Sequence, residues 1–427
     1  MKINLKHISL AIIFLGIAFR FTNLTFPDMT TDEVQAALGT SPAWTPLGMM
    51  ILRGAQAIFG HEIFVVRMVS VIFGVAFLPL FYNLCRLYCD KKTSLLAVAI
   101  AAIFPTHILF SKLSYLSIQL CFAWTLTLYA FLRARKDPSM KWLSLLYVSS
   151  VVATMTKTQG LLLPVFLVVG IVTEELCRAI SGPRTADRKK NIEIVLTLLL
   201  SLIPTFFYIL SNPGVFATVL QYGGNMYGVS EPGNRVFDLI YTWWHVLYLF
   251  FIAIIFSLNS YRKLDWPFCI TLGTGILTGL VLGPAHDYYA TYLVLCALPI
   301  SIFLMKRKSI YRNISIAMLT LMTVFMFAPI SLIRTPWMHV HYLSYPYWNN
   351  HSDDINEVLK DEEVITILGG PGHHVRWYLD PQLLVGDNMQ EPYETDYVLV
   401  LRDRDLAREL GHIVYEDTET SIVQISK

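Results

Sequence analysis

Three carboxylates, Asp28, Asp32 and Glu33, stand just after the first apolar run of the chain. Isolated basic residues, Arg67, Lys112, Lys157 and His286, recur at the ends of later apolar runs. A carboxylate within hydrogen-bond reach of a hydroxyl can take its proton as the oxygen attacks. Fixed cations can hold an anion as it departs. Gathered on one membrane face, such groups suit a charged substrate at the interface. Each residue also has a plainer account. Thr30 or Thr31 can cap a short helix opening on Asp32-Glu33, where negative charge is favoured. Arg67 and Lys157 can snorkel from helix ends. His286 can be a helix-terminal polar residue, and Tyr289 an aromatic-belt residue. The residues alone leave both accounts open.

The elements that position them are long apolar runs. The chain has 427 residues, of which 55% are hydrophobic, and a mean hydropathy of +0.52. Runs of spanning length fall near 8–25, 63–84, 93–110, 114–132, 142–156, 160–177, 192–210, 237–257, 267–284, 289–305 and 313–333. This predicts an all-α polytopic membrane domain over 1–334 with about eleven transmembrane helices and a first outer loop at 26–62. The opening MKINLKHIS resembles a signal peptide, but no small-residue cleavage site follows before Asp28, which predicts an uncleaved first span. The six cysteines lie in or beside apolar runs and read as packed thiols.

Loop charge sets the expected orientation. With the N-terminus inside, Lys2, Lys6, Arg86, Lys91, Lys92, Arg133, Arg135, Lys136, Lys141 and most later Lys and Arg fall on the cytoplasmic face. The other face holds few: Arg20, Arg53, Arg67, Lys112, Lys157 and Arg235. The positive-inside rule then predicts a cytoplasmic N-terminus. An odd number of spans puts the C-terminus outside. Beyond Arg334 the chain is charged and has no span. ITIL at 365–368, YVLVL at 397–401 and SIVQI at 421–425 read as strands, and Asp353–Leu359 and Asp403–Leu410 as helices. This predicts a small α/β extracytoplasmic domain over 335–427. The near-zero net charge says nothing of a nucleic-acid partner.

In order along the chain stand Asp32-Glu33, Pro46-Leu47, Phe59-Gly60 and Arg67. That pattern resembles the GT-C glycosyltransferases, in particular the branch of protein O-mannosyltransferases and lipid A aminoarabinose transferases. Ser111-Lys112, at the expected start of the fourth span, resembles the family's Ser-Arg. Thr156-Lys157-Thr158-Gln159-Gly160 resembles its Thr-Lys-x-x-Gly. Gly283-Pro284-Ala285-His286-Asp287-Tyr288-Tyr289, followed by Pro299, resembles its His-x-Tyr-Tyr loop. The resemblance covers about the first 310 residues, and its specificity lies in the order and spacing of the pieces. It implies transfer of a sugar from a polyprenyl-phosphate donor to a protein, lipid or glycan acceptor on the outer face of the plasma (inner) membrane, with inversion. It places the base on Asp32, beside Glu33. It places donor phosphate and sugar binding on Arg67, Lys157, His286, Tyr289 and Lys112. No cofactor is implied: the family reaction is usually metal-independent, and no ligand cluster argues otherwise.

One departure stands out. Many members carry a second acid seven positions into the Ser-Arg stretch, where this chain has Ser117. A hydroxyl cannot replace a carboxylate as a base. Either Asp28 or Glu33 compensates, or this branch works without it. The loop 212–235 is rich in Gly and reads equally as a connector or as a substrate loop carrying Tyr222, Tyr227 and Arg235. Gly369-Gly370-Pro371-Gly372-His373-His374 lacks the Lys-Ser/Thr of a phosphate loop and reads as a turn. Two other functions compete: a secondary transporter of a sugar or lipid-linked substrate, and a non-catalytic assembly subunit. Transporters usually show two related halves with polar groups near mid-membrane. Here the halves look unalike and the charged residues cluster at one face.

Overall fold

A computed structural model describes residues 5–22, 24–25, 31–39, 45–181, 188–214, 266–282, 287–306, 355, 357–359 and the strands given below. The expected spans at 237–257 and 313–333 lie outside the described residues, as do Asp28, Tyr222, Tyr227, Arg235, His286, Asp353, the Gly369–His374 turn and the helix expected at 403–410. The chain divides into two compact units. One comprises 1–24 with 39–334, the other 25–38 with 335–427.

The first unit is helical: α1 Leu5–Phe21, α3 Pro46–Phe59, α4 Ile63–Cys85, α5 Lys91–Ala102, α6 Pro105–Lys112, α7 Leu116–Lys136, α8 Met140–Thr156, α9 Leu162–Ser181, α10 Arg188–Ser211, α11 Trp266–Leu282 and α12 Ala297–Met305. Short 3-10 segments cover Thr158–Leu161 and Asp287–Cys296. Among the described residues, α4, α7, the stretch Thr158–Cys177 and α10 are long and apolar enough to cross a membrane. α5 and α6 add a fifth if the bent pair is one span. α1, α8 and α11 have 17 residues each, about 25 Å at the helical rise.

The sequence predicts one continuous run at 93–110. The structure breaks it: α5 stops at Ala102, α6 starts at Pro105, and their axes differ by 58°. Pro105 has no N–H and disfavours helix in the residue before it, and Phe104 is extended (φ −69°, ψ 116°). A second boundary moves with it. Ser111-Lys112 close α6 and do not open the next helix, which starts at Leu116.

The start of α5 is capped by Asp90, whose carboxylate accepts from the Thr93 amide (3.1 Å) and the Thr93 hydroxyl (2.5 Å). The Thr93 side chain holds the Asp90 carboxyl below its usual value. The folded state therefore gains from this cap above the ordinary aspartate range and loses the gain as pH falls through the depressed value. Asp90→Ala should cost about 1 kcal/mol, the usual worth of such a cap, visible as a lowered unfolding temperature in detergent.

At the same end as the α7 C-terminus, Arg135 pairs with Glu174 of α9 at 3.0 Å, and the Trp266 indole N–H donates to Glu174 Oε2 at 2.9 Å. Gly170 makes room for the Trp266 ring, which a Cβ there would enter. This ties α7, α9 and α11 together. None of the six cysteines is in a disulfide; Cys85, Cys121 and Cys296 are buried and Cys89 is half-buried, as packed thiols would be, whereas Cys177 and Cys269 are exposed on their helices.

The second unit holds α2, Thr31–Leu38, and a five-stranded sheet: β1 Val364–Leu368, β2 Leu384–Gly386, β3 Tyr397–Leu401, β4 His412–Glu416 and β5 Thr420–Gln424. The order is β2-β1-β3-β5-β4, with β1 parallel to β2 and β3, and β5 antiparallel to β3 and β4. The three stretches read as strands form β1, β3 and β5. β2 is too short, and β4 too mixed in polarity, to stand out in the sequence. Ile422 and Val423 are both fully buried, and neighbours on a strand point to opposite faces, so both faces of β5 are covered there.

Candidate functional site

α3 joins two pieces of the sequence pattern. Thr45 is its N-cap and Pro46 its first residue, where a missing N–H costs nothing. Gly60, at φ 100°, ends it. α3 packs on α4, α7 and α8. At the crossing, a Cβ on Gly48 would lie 3.0 Å from the Thr156 carbonyl oxygen and 3.0 Å from Leu116 Cδ2. Pro46-Leu47-Gly48 thus sits against Thr156-Lys157 at the end of α8 and against the start of α7.

Lys157 is extended (φ −157°, ψ 147°) and only 1% exposed. It stands between α8 and the 3-10 turn, and its carbonyl accepts from the Gly160 amide at 2.7 Å. Gly160 folds back onto α8, where a Cβ would collide with the Ala153 carbonyl and come within 2.9 Å of Thr154 Cα. The spacing Lys-x-x-Gly is therefore the spacing of a tight reversal that buries a lysine. A lysine that snorkels would show its ammonium to water, whereas this one is enclosed.

Arg67 lies on the first turns of α4, fully buried, and donates to the Leu24 carbonyl at 3.1 Å. Lys112 donates to the Thr22 hydroxyl at 3.3 Å and lies within electrostatic reach of Arg67. Two like charges, one near the start of α4 and one at the end of α6, are thus held beside the α1 C-terminus. One turn inward is a cluster the sequence reading did not assemble. Arg20 of α1, fully buried, donates to the carbonyls of Gly16 (2.6 Å) and Ala102 (2.7 Å) and to His107 Nδ1 (2.8 Å). Arginine only donates, so Nδ1 accepts and His107 carries its proton on Nε2. Ala102 is the last residue of α5, and its carbonyl is left without a helical partner by the break. Arg20 satisfies it. The available signal was an arginine inside an apolar run, which by default marks a functional or structural role.

Of the other expected site residues, Asp32 stands in the first turn of α2, and Glu33 beside it is fully buried. Tyr289 lies in the 3-10 segment Asp287–Cys296. Ser117 is fully buried in the first turn of α7, and its hydroxyl has no hydrogen-bond partner among the described residues. Trp124 and Tyr292, not singled out by sequence, are buried with their rings 4.6 Å apart. No group of three His, Cys, Asp or Glu able to hold a metal occurs among the described residues.

Residues 41–208 match the family model of dolichyl-phosphate-mannose-protein mannosyltransferase. The match contains Pro46-Leu47, Arg67, Lys112 and Lys157 and starts after Asp32. No curated protein matches the chain in sequence. Among solved structures, ArnT from Cupriavidus metallidurans bound to undecaprenyl phosphate is similar at 13% identity and TM-score 0.64, covering 97% of each chain. The apo state of that protein gives 0.66 with the same identity and coverage. The oligosaccharyltransferase AglB from Archaeoglobus fulgidus, in complex with an inhibitory peptide and a dolichol-phosphate, gives 12% identity and TM-score 0.57, covering 94% of this chain and 70% of that one. The chain shares its fold with these proteins, and its segment 41–208 is similar to the mannosyltransferase family.

Proposed function

We propose that this protein transfers a sugar from a polyprenyl-phosphate donor to an acceptor hydroxyl or similar nucleophile at the Arg67 end of the bundle. That end is taken as extracytoplasmic, with the N-terminus in the cytoplasm and residues 335–427 outside, as loop charge predicts. The observation that carries the reading is the burial of Arg67 and Lys157 at helix ends that α3 joins. The fold is shared with proteins solved with undecaprenyl phosphate or a dolichol-phosphate, which supports a lipid-linked phosphate as the anion.

The chemistry follows from the groups. Asp32 accepts the proton of the acceptor as its oxygen bonds to the anomeric carbon. The bond from that carbon to the phosphate oxygen breaks, and the polyprenyl phosphate leaves as an anion. Lys157 and Arg67 hold that charge in a place from which water is largely excluded, and the resemblance assigns Lys112, His286 and Tyr289 to the same donor. Direct displacement inverts the anomeric centre. Glu33 is assigned beside Asp32, and Asp28, Tyr222, Tyr227 and Arg235 are assigned from the sequence to substrate binding.

Purified protein in proteoliposomes, given an undecaprenyl-phosphate hexose and a crude envelope acceptor fraction, should release undecaprenyl phosphate and form a glycosidic bond of inverted configuration. Lys157→Met should lower that rate by about 10²–10³-fold, as the loss of one preorganised charge donor does elsewhere. Sugar carried across the bilayer with no new glycosidic bond would replace the enzyme with a transporter.

A further inference from the structure

Most buried hydroxyls on these helices satisfy themselves. Thr125, Ser149, Thr156, Ser201 and Thr271 each donate to a carbonyl one turn earlier. Ser70 of α4 does not: it is fully buried, and its hydroxyl has no partner among the described residues. Gln119 of α7 is 2% exposed, and both its Oε1 and its Nε2 lack a partner. An amide buried with neither end bonded is costly unless something completes it.

These two residues share a seam. The rings of Phe73 on α4 and Phe122 on α7 meet edge to face at 5.5 Å. Ser70 and Gln119 each precede one of those rings by three residues, so each lies on the same face of its helix, one turn away. α4 and α7 both start at the end where Arg67 and Lys112 meet the α1 C-terminus, so that turn leads toward the cations. One turn further out stand Arg67 and Leu116, and over Leu116 close Gly48 and the Thr156 carbonyl. Ser117 lies about 200° around α7 from Gln119 and faces elsewhere.

We propose that the Gln119 amide, with the Ser70 hydroxyl, reads neutral hydroxyls of the donor's sugar beneath Arg67 and Lys157. This rests on the donor reading above. An amide brings two donors and a carbonyl acceptor, and a hydroxyl brings one donor and two lone pairs. Together they fit a vicinal diol, whose oxygens both donate and accept. They carry no charge and give a phosphate no reason to enter. Phosphate and sugar are therefore read by different residues: the cations bind any polyprenyl phosphate, and the neutral pair selects among sugars. A site built on hydrogen bonds to hydroxyls discriminates strongly against analogues lacking them.

The test compares full-length wild type, Gln119→Leu and Ser70→Ala in nanodiscs. The probes are undecaprenyl-phosphate mannose, glucose and galactose, and sugar-free undecaprenyl phosphate. Gln119→Leu should weaken the preferred glycosylated lipid at least tenfold and flatten the preference among sugars, with sugar-free lipid bound as by wild type. Ser70→Ala should shift the same preference in the same sense, and it removes so little volume that folding is not at issue. The proposal is overturned if glycosylated and sugar-free lipids lose affinity equally. It is also overturned if both bind as before while Gln119→Leu becomes more thermostable, the mark of an amide that is merely unsatisfied. Wild type that binds none of the four lipids would sink the donor reading itself, and this one with it.

Discussion

Asp32→Asn should lower sugar transfer by about 10²–10⁴-fold, the range for loss of a positioned base. Asparagine keeps the size of aspartate, and position 32 lies inside α2 and not at its cap, so the helix should persist. It offers an amide where an acceptor-only carboxylate stood, and cannot take the acceptor's proton. The loss should fall on kcat and leave donor binding nearly unchanged, because the cations that would hold the phosphate, Arg67 and Lys157, are untouched. Release of undecaprenyl phosphate by the purified protein measures the rate, and lipid binding in nanodiscs measures the rest. A normal rate would remove Asp32 from the mechanism. Glu33→Gln makes a useful partner. Glu33 is fully buried, so a loss there should appear in thermal stability as well as in rate, whereas Asp32→Asn should leave stability nearly intact.

Gly160→Ala should be the most damaging small substitution in the helical unit. The added methyl would enter the carbonyl group of Ala153 and approach Thr154 Cα within 2.9 Å, and neither is a flexible side-chain tip. Backbone must move, which costs about 1–3 kcal/mol or more. What moves is the turn that encloses Lys157, so transfer should fall along with unfolding temperature. Gly54→Ala is the control. It lies in α3 with nothing within 4 Å of the added methyl, and alanine is the better helix former by about 1 kcal/mol. That variant should be neutral or slightly more stable. If both substitutions behaved alike, Gly160 would not be where the structure puts it.

Much of the helical unit was legible because bilayer burial writes itself as length and hydropathy. α1, α4, α7, α8, α10 and α11 fall within a few residues of the expected runs. The break between α5 and α6 was less legible, because an apolar run continues through Pro105 whether or not the helix does. The pattern Thr156–Gly160 was visible as spacing, but its cause, a tight fold-back onto Ala153, is a tertiary fact. Gln119 and Ser70 carried no signal at all. A glutamine and a serine in an apolar helix look ordinary until each partner within reach is accounted for. Arg20 reads in sequence as one more outer-face cation, whereas two of its partners, Ala102 and His107, are more than 80 residues away. β4 was missed because its alternation is interrupted, and the register slips between Ile413 and Tyr415.

The enclosure of these cations also bears on how the protein responds to its medium. Dissolved ions screen charges that share their water, over about 10 Å at 0.1 M ionic strength. Arg20 and Arg67 are fully buried and Lys157 is 1% exposed, so salt has little access to any of them. Their pull on an anionic headgroup entering from the lipid should therefore be nearly the same in dilute buffer and in brine. A surface patch of lysines would lose most of its hold over the same range.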